Sequence, residues 1–278
     1  MNLGVRAHDF GKLPADELAR QIASHGLTCV QLAPVKAITG FDNDTDGIPA
    51  TFANGVRDAF LRHDIRISVL GCYINLGDRD PAVRRPQLER FKRHLRAAHD
   101  FGCDIVGTET GSLNSDCSRH PDNGGEEAFD IVLEGVCELV REAENCGVNV
   151  CIEAVERYVI SSPERLRRLI DAVNSPNLSV IYDPVNFLWS TNYMREAEII
   201  DAAHHLLGEH IRILHAKDYT ITDGNFNEVP AGQGRLNYHR VLSWLKAQPH
   251  AIDILLENTN PALIARTIAF IQKAYREA

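Results

Sequence analysis

Four short runs of this sequence end on side chains that could share one cation. CIEAVE carries Glu153, IYDPVN carries Asp183, RILHAKDYT carries His215 and LLENT carries Glu257. Three carboxylates brought together would repel, and each would resist ionising. A divalent cation removes that conflict. A neutral imidazole with carboxylate oxygens suits Mn, Co, Mg, Fe or Zn. No cysteine stands among the four, which argues against a closed structural zinc site. One carboxylate at a strand end is ordinarily a loop charge or a helix cap. Four metal-compatible side chains at four strand ends are a different matter, and the expectation is one ion held by Glu153, Asp183, His215 and Glu257.

Bringing those ends together requires parallel strands. Apolar runs predict strands over 3–9, 27–33, 65–73, 103–111, 148–156, 177–183, 211–217 and 251–258. Amphipathic stretches between them predict helices over 14–26, within 48–64, within 81–102, and over 124–147, 162–174, 195–208, 238–248 and 261–278. Ser162 is placed as an N-cap with Pro163 at the first helical position. Eight strand–helix units in 278 residues predict an α/β fold, a (β/α)8 barrel forming one domain over 1–278. A doubly wound sheet would ordinarily show a glycine-rich phosphate turn after its first strand, and RAHDFGKL has none. Side chains alternate along a strand. Counting back by twos, Glu153 shares a face with Cys151, Asp183 with Ile181, His215 with Ile213 and Glu257 with Leu255. All four can point into the mouth of a barrel, where active sites of this architecture lie.

Composition narrows the partners. A net charge of −9 disfavours nucleic acid, whose phosphates need a basic face. No run of about 18 apolar residues predicts a membrane span. The start, MNLGVRAHDFGKL, lacks a basic-then-apolar leader pattern. Seven scattered cysteines with no CxxC pair fit reduced thiols in a cytoplasmic protein.

In their order and composition, CIEAVE, IYDPVN, LHAKD and LLENT resemble the xylose isomerase-like barrel superfamily of sugar isomerases and epimerases. The likeness is nearest to the branch of sugar phosphate isomerase/epimerases that includes ketose 3-epimerases and inosose-processing enzymes. It implies that the four residues are the metal quartet, and that Glu153 and Glu257 are also the acid–base pair. The substrate implied is a small carbohydrate, cyclitol or keto-sugar, and the reaction an epimerisation or isomerisation through an enediolate. Loss of water from the same enediolate, as in an inosose dehydratase, is the first rival. An endonuclease IV-like hydrolase is a distant one, since that type needs more histidines for three zinc ions. A sugar-binding protein without turnover is another. Many relatives are dimers or tetramers, so a homo-oligomer is expected.

The resemblance also implies that Arg235, in VPAGQGRLNY, reaches substrate oxygens. Two departures stand out. Asn186 replaces a histidine common three residues after the sixth-strand aspartate, and Val159 replaces a second glutamate, with Glu156 nearby. Further substrate contacts are expected from Lys217 and Asn186, from Glu109 at the fourth strand end, from His8 at the first, and from Tyr73 after the third. Asn75 and Trp189 are candidate pocket walls. Asp218 is expected to brace its loop; the polar stretch 111–125 is of the kind used as a lid, with a plain surface loop the simpler reading.

Overall fold

The computed structural model describes residues 1–42 and 47–278. Its elements follow in the order β1 (Leu3–Arg6), α1 (Ala15–Ala23), β2 (Cys29–Leu32), α2 (Pro34–Ala37), α3 (Ala50–Leu61), β3 (Arg66–Gly71), α4 (Pro81–Ala97) and β4 (Ile105–Glu109). Then come α5 (Glu126–Cys146), β5 (Asn149–Glu153), α6 (Pro163–Val173), β6 (Leu178–Tyr182), α7 (Glu196–Leu207) and β7 (Ile211–Thr222). The chain ends with β8 (Asn225–Pro230), α8 (Tyr238–Lys246), β9 (Asp253–Leu256) and α9 (Ile264–Glu277). Strands β1 to β7 and β9 pair in parallel, and the β6–β7 pairing closes them into the eight-stranded barrel that the sequence predicts. Ser162 caps α6 by accepting a hydrogen bond from the Arg165 N–H at 3.2 Å, as the sequence suggests.

Both faces of these strands are buried, which parallel strands wrapped by helices require. On β5, Val150 and Ile152 pack outward against the helices, while Cys151 joins Cys29, Val69, Ile181, Ile213 and Leu255 inside the barrel. Glycine completes this inner layer where space runs out. A Cβ on Gly107 would lie 2.7 Å from Ile181, and one on Gly4 would lie 2.1 Å from the Cys29 carbonyl oxygen. The next inward position on each strand, two residues on, lies at the mouth.

Two differences from the sequence reading bear on the site. The first strand stops at Arg6, and 7–10 form a short 3-10 turn, so His8 sits on that turn and not at a strand end. The seventh strand does not stop at 217. It runs on to Thr222, reverses at Asp223 and Gly224, and returns as β8, pairing antiparallel from Lys217↔Pro230 to Thr222↔Asn225. Both turn residues have positive φ, 52° and 77°, the backbone that a tight two-residue hairpin needs. No helix among the described residues is long and apolar enough to cross a membrane. All seven cysteines are free thiols.

Candidate metal centre and active site

The strand ends meet as the alternation predicts. Each of Glu153, Asp183, His215 and Glu257 lies two residues beyond a member of the inner layer, and all four are buried. One ligand atom from each falls within 4.8 Å of the others. The His215 Nδ1 is 3.0 Å from Glu153 Oε1 and 3.4 Å from Glu257 Oε2. Its Nε2 faces the side-chain oxygen of Gln31, whose amide N–H in turn donates to the Tyr73 hydroxyl. That chain orients the ring so that Nδ1 points at the carboxylates. Such outer partners ordinarily fix a metal-binding imidazole.

Electrostatics in the cluster are those of a crowded acidic site. Burial, reinforced by Glu257 and Glu153 and opposed by Lys217, pushes Asp183 up to about 8. Burial by itself would lower His215, but Glu153, Glu257 and Asp183 carry it to about 9. Glu257 goes the other way. Burial would raise it, and Lys217, His215 and Arg6 together hold it at about 2. Asp183 Oδ2 and Glu257 Oε2 are buried without a hydrogen bond among the described residues. Two buried acceptor oxygens beside an imidazole nitrogen call for a proton or a cation. Three carboxylates and one imidazole therefore fit a divalent ion such as Mg, Mn, Co, Fe or Zn.

The expected substrate contacts separate into groups. Asn186 bridges the centre: its amide N–H donates to Glu153 at 2.8 Å and its oxygen accepts from Lys217 at 2.8 Å. Lys217 also lies 3.2 Å from Asp183 and 3.1 Å from Glu228. Glu109 pairs in register with Glu153, and burial followed by Glu153 and Glu257 raises it to about 7. Tyr73 sits on Gln31, with Lys36 over its ring at 4.4 Å. His8 is lowered to about 3 by burial, then by Arg6 and Lys36, so its imidazole is neutral; its Nδ1 has no hydrogen bond among the described residues. Arg235 is exposed, its guanidinium 5.1 Å over the Tyr193 ring, and its known contacts do not include the quartet.

Other expectations resolve as structure. Asp218 turns away from the centre and binds four backbone N–H groups, of Tyr219 (2.8 Å), Gly232 (3.1 Å), Gly234 (3.0 Å) and Leu236 (2.8 Å). Asn75 accepts from the N–H groups of Gly77 and Ser112 and ties the turns after β3 and β4 together. Val159 is fully buried, and Glu156 pairs with Arg119. That arginine also covers the Trp189 ring at 5.4 Å, so the stretch 111–125 touches the loop after β6.

Three residues of the site escape the sequence reading. Arg6 projects inward two positions after Gly4, and binds Glu257, Asp9 and Asn258. Gln31 follows Cys29 by the same spacing, so counting by twos along the first two strands would find both. Glu228 arrives on the hairpin, whose signal is Asp223–Gly224 between extended segments.

The comparisons with known proteins agree with the architecture. A family model described as xylose isomerase-like TIM barrel matches residues 7–274. A Haemophilus influenzae protein provisionally named L-ribulose-5-phosphate 3-epimerase is 24% identical over 187 residues, 65% of this chain and 60% of that protein. The chain thus matches under two thirds of that relative's length. Among solved structures, a xylose isomerase-like TIM barrel protein from Mycobacterium smegmatis in complex with magnesium superposes with a TM-score of 0.75 at 16% identity, covering 99% of this chain and 97% of that one. The 3-keto-D-glucoside 4-epimerase of E. coli superposes with a TM-score of 0.75 at 17% identity, covering 98% and 99%. At such identities the superpositions speak to the fold.

Proposed function

The chain belongs to the xylose isomerase-like TIM barrel family, and from that premise we propose that it is a divalent-metal-dependent enzyme that epimerises or isomerises a small carbohydrate, cyclitol or keto-sugar. The observation that carries this is the buried set Glu153, Asp183, His215 and Glu257, gathered within 4.8 Å at the barrel mouth. A divalent ion bound there would polarise a substrate carbonyl and so acidify the neighbouring C–H. The two glutamates supply the proton transfers. His215 Nδ1 lies between them, 3.0 Å from Glu153 and 3.4 Å from Glu257, so the pair approaches the centre from two strands. One carboxylate takes the proton from the carbon beside the carbonyl. Return by the other to the opposite face inverts that carbon, and return to the neighbouring carbon isomerises the sugar. Arg6 and Lys217 keep Glu257 ionised for this role, and the Asn186 amide orients Glu153. His8, with a neutral imidazole and an unpartnered nitrogen, is suited to a substrate hydroxyl. Tyr73 and Glu109 are assigned to the same wall, and Arg235 to the rim.

The test is proton NMR in D2O with Mn- or Mg-loaded protein and a panel of ketoses, inososes and 2-keto sugar acids. Exchange beside the carbonyl, abolished by EDTA, is expected. Glu153→Gln and Glu257→Gln should each slow it by about 10² or more. Unchanged exchange in both variants would sink the assignment. Glu109 favours a second reading. Burial raises it to about 7, so it can hold a proton for a departing hydroxyl, and a dehydrated product in the same spectra would make the enzyme a lyase.

A further inference from the structure

Lys217 is the buried ammonium nearest the quartet, where a negatively charged substrate group would have to be met. Its charge is already met by oxygens of the protein. Asn186 Oδ1 lies 2.8 Å from Nζ, Glu228 Oε2 3.1 Å, Asp183 Oδ2 3.2 Å and Glu257 Oε2 3.7 Å. The Asn186 oxygen takes a hydrogen bond, and the three carboxylates already match the charge of the ammonium. Arg6 is held by its own partners, with Nε on Asp9, Nη1 on Glu257 and Nη2 on Asn258, which use three of its five N–H groups.

Among these partners, Glu228 alone comes from outside the barrel strands and the loops that end them. It sits on β8 and is held in place by the Asn258 amide, which donates to its Oε2 at 2.9 Å. It is one third exposed and lines a cleft with Glu156, Arg157, Asn186 and Trp189. The mouth therefore presents a fixed carboxylate in front of its lysine.

We propose that Glu228 is a specificity-determining residue that screens Lys217 and makes the mouth select an uncharged polyol over its phosphate ester. This rests on the proposed function and names its substrate class. A sugar hydroxyl can donate to the Glu228 carboxylate. A phosphate dianion in the same place meets a like charge, in front of a lysine whose own charge Asp183, Glu228 and Glu257 already match, a juxtaposition that disfavours binding. The selection runs opposite to the phosphorylated substrate in the name of the Haemophilus influenzae relative.

The test compares Mg-loaded wild type with Glu228→Gln, a substitution that keeps a side-chain oxygen for Asn258. Inorganic phosphate is the first probe, titrated by calorimetry. Wild type should show no saturable binding at concentrations where the variant does, with affinity gained by about tenfold or more. Saturable binding by wild type, or no gain in the variant, overturns the proposal. L-ribulose and L-ribulose 5-phosphate form the second probe, read as proton exchange in D2O. Wild type should prefer the free sugar, and the variant should narrow that preference through KM. A wild-type preference for the phosphate ester overturns the proposal too. If neither sugar, nor any member of the wider panel, exchanges, the epimerase reading fails, while the phosphate titration still decides the role of Glu228.

Discussion

Asp183 and His215 hold protons at neutral pH when no metal is present, and that has consequences which can be measured. Asp183 is raised from 3.8 to about 8 by burial and its acidic neighbours, and His215 from 6.5 to about 9 by Glu153, Glu257 and Asp183 against burial. A group whose pKa rises on folding stabilises the fold only while protonated. The contribution of Asp183 is thus lost progressively as pH climbs from 3.8 through about 8, and that of His215 as it climbs from 6.5 through about 9. Glu257 behaves oppositely. It is lowered from 4.5 to about 2, so its contribution is lost as pH falls through that range. The metal-free protein should therefore lose thermal stability between pH 6.5 and 9, and saturating metal should flatten the profile. Ligands must give up their protons to bind. At pH 7 each bound ion should release about two protons, one from Asp183 and one from His215, read by pH-stat or by calorimetry in buffers of different ionisation enthalpy. Release near zero would remove these two residues from the ligand set.

At the scale of the element, the β7–β8 hairpin is the addition that shapes the mouth. It carries Glu228 to Lys217 and is anchored by Asp218, the residue after that lysine. Four backbone N–H groups converge on this carboxylate, three of them from the turn over 232–236. The turn cannot relax toward ordinary geometry. Gly232 has φ +82°, and a Cβ there would lie 2.4 Å from the Phe270 ring. Asp218→Ala leaves those buried N–H groups without their acceptor. It should cost about 3 kcal/mol or more in urea unfolding, and should speed amide exchange at Gly232, Gly234 and Leu236. Asp218→Asn should cost less. A loss under about 1 kcal/mol for the alanine variant would mean that something else holds the turn. Much of this element is polar, NFNEVP with no alternating apolar face, and for that reason the strand periodicity that reveals β1 to β7 does not reveal β8. Its one legible mark is the Asp223–Gly224 turn.

At the scale of the whole molecule, the quartet links β5, β6, β7 and β9, strands that close the barrel between its fifth unit and its last. An ion shared by them binds only the folded chain. At a hundred times its Kd it should add about 2.7 kcal/mol, so EDTA should lower Tm by on the order of 5 °C, with a shift that grows with the logarithm of metal concentration. An unmoved Tm at saturating metal would argue against a site that spans these strands. Read alone, the sequence determines the alternation of strands and helices, the parity of each strand end, and hence the quartet, because period and spacing are local properties. The Ser162 cap is legible for the same reason. The end of β1 at Arg6 is not, since its polar residues carry no mark of where a strand gives way to a turn, and His8 consequently moves off the strand end. The tertiary structure decides which polar ends become neighbours. Arg6 meets Glu257 across 251 residues, and Gln31 reaches His215 across 184. Those pairings exist only because β1 closes against both β2 and β9, with Gly4 pressed onto Cys29 in a register that packing inside the barrel selects.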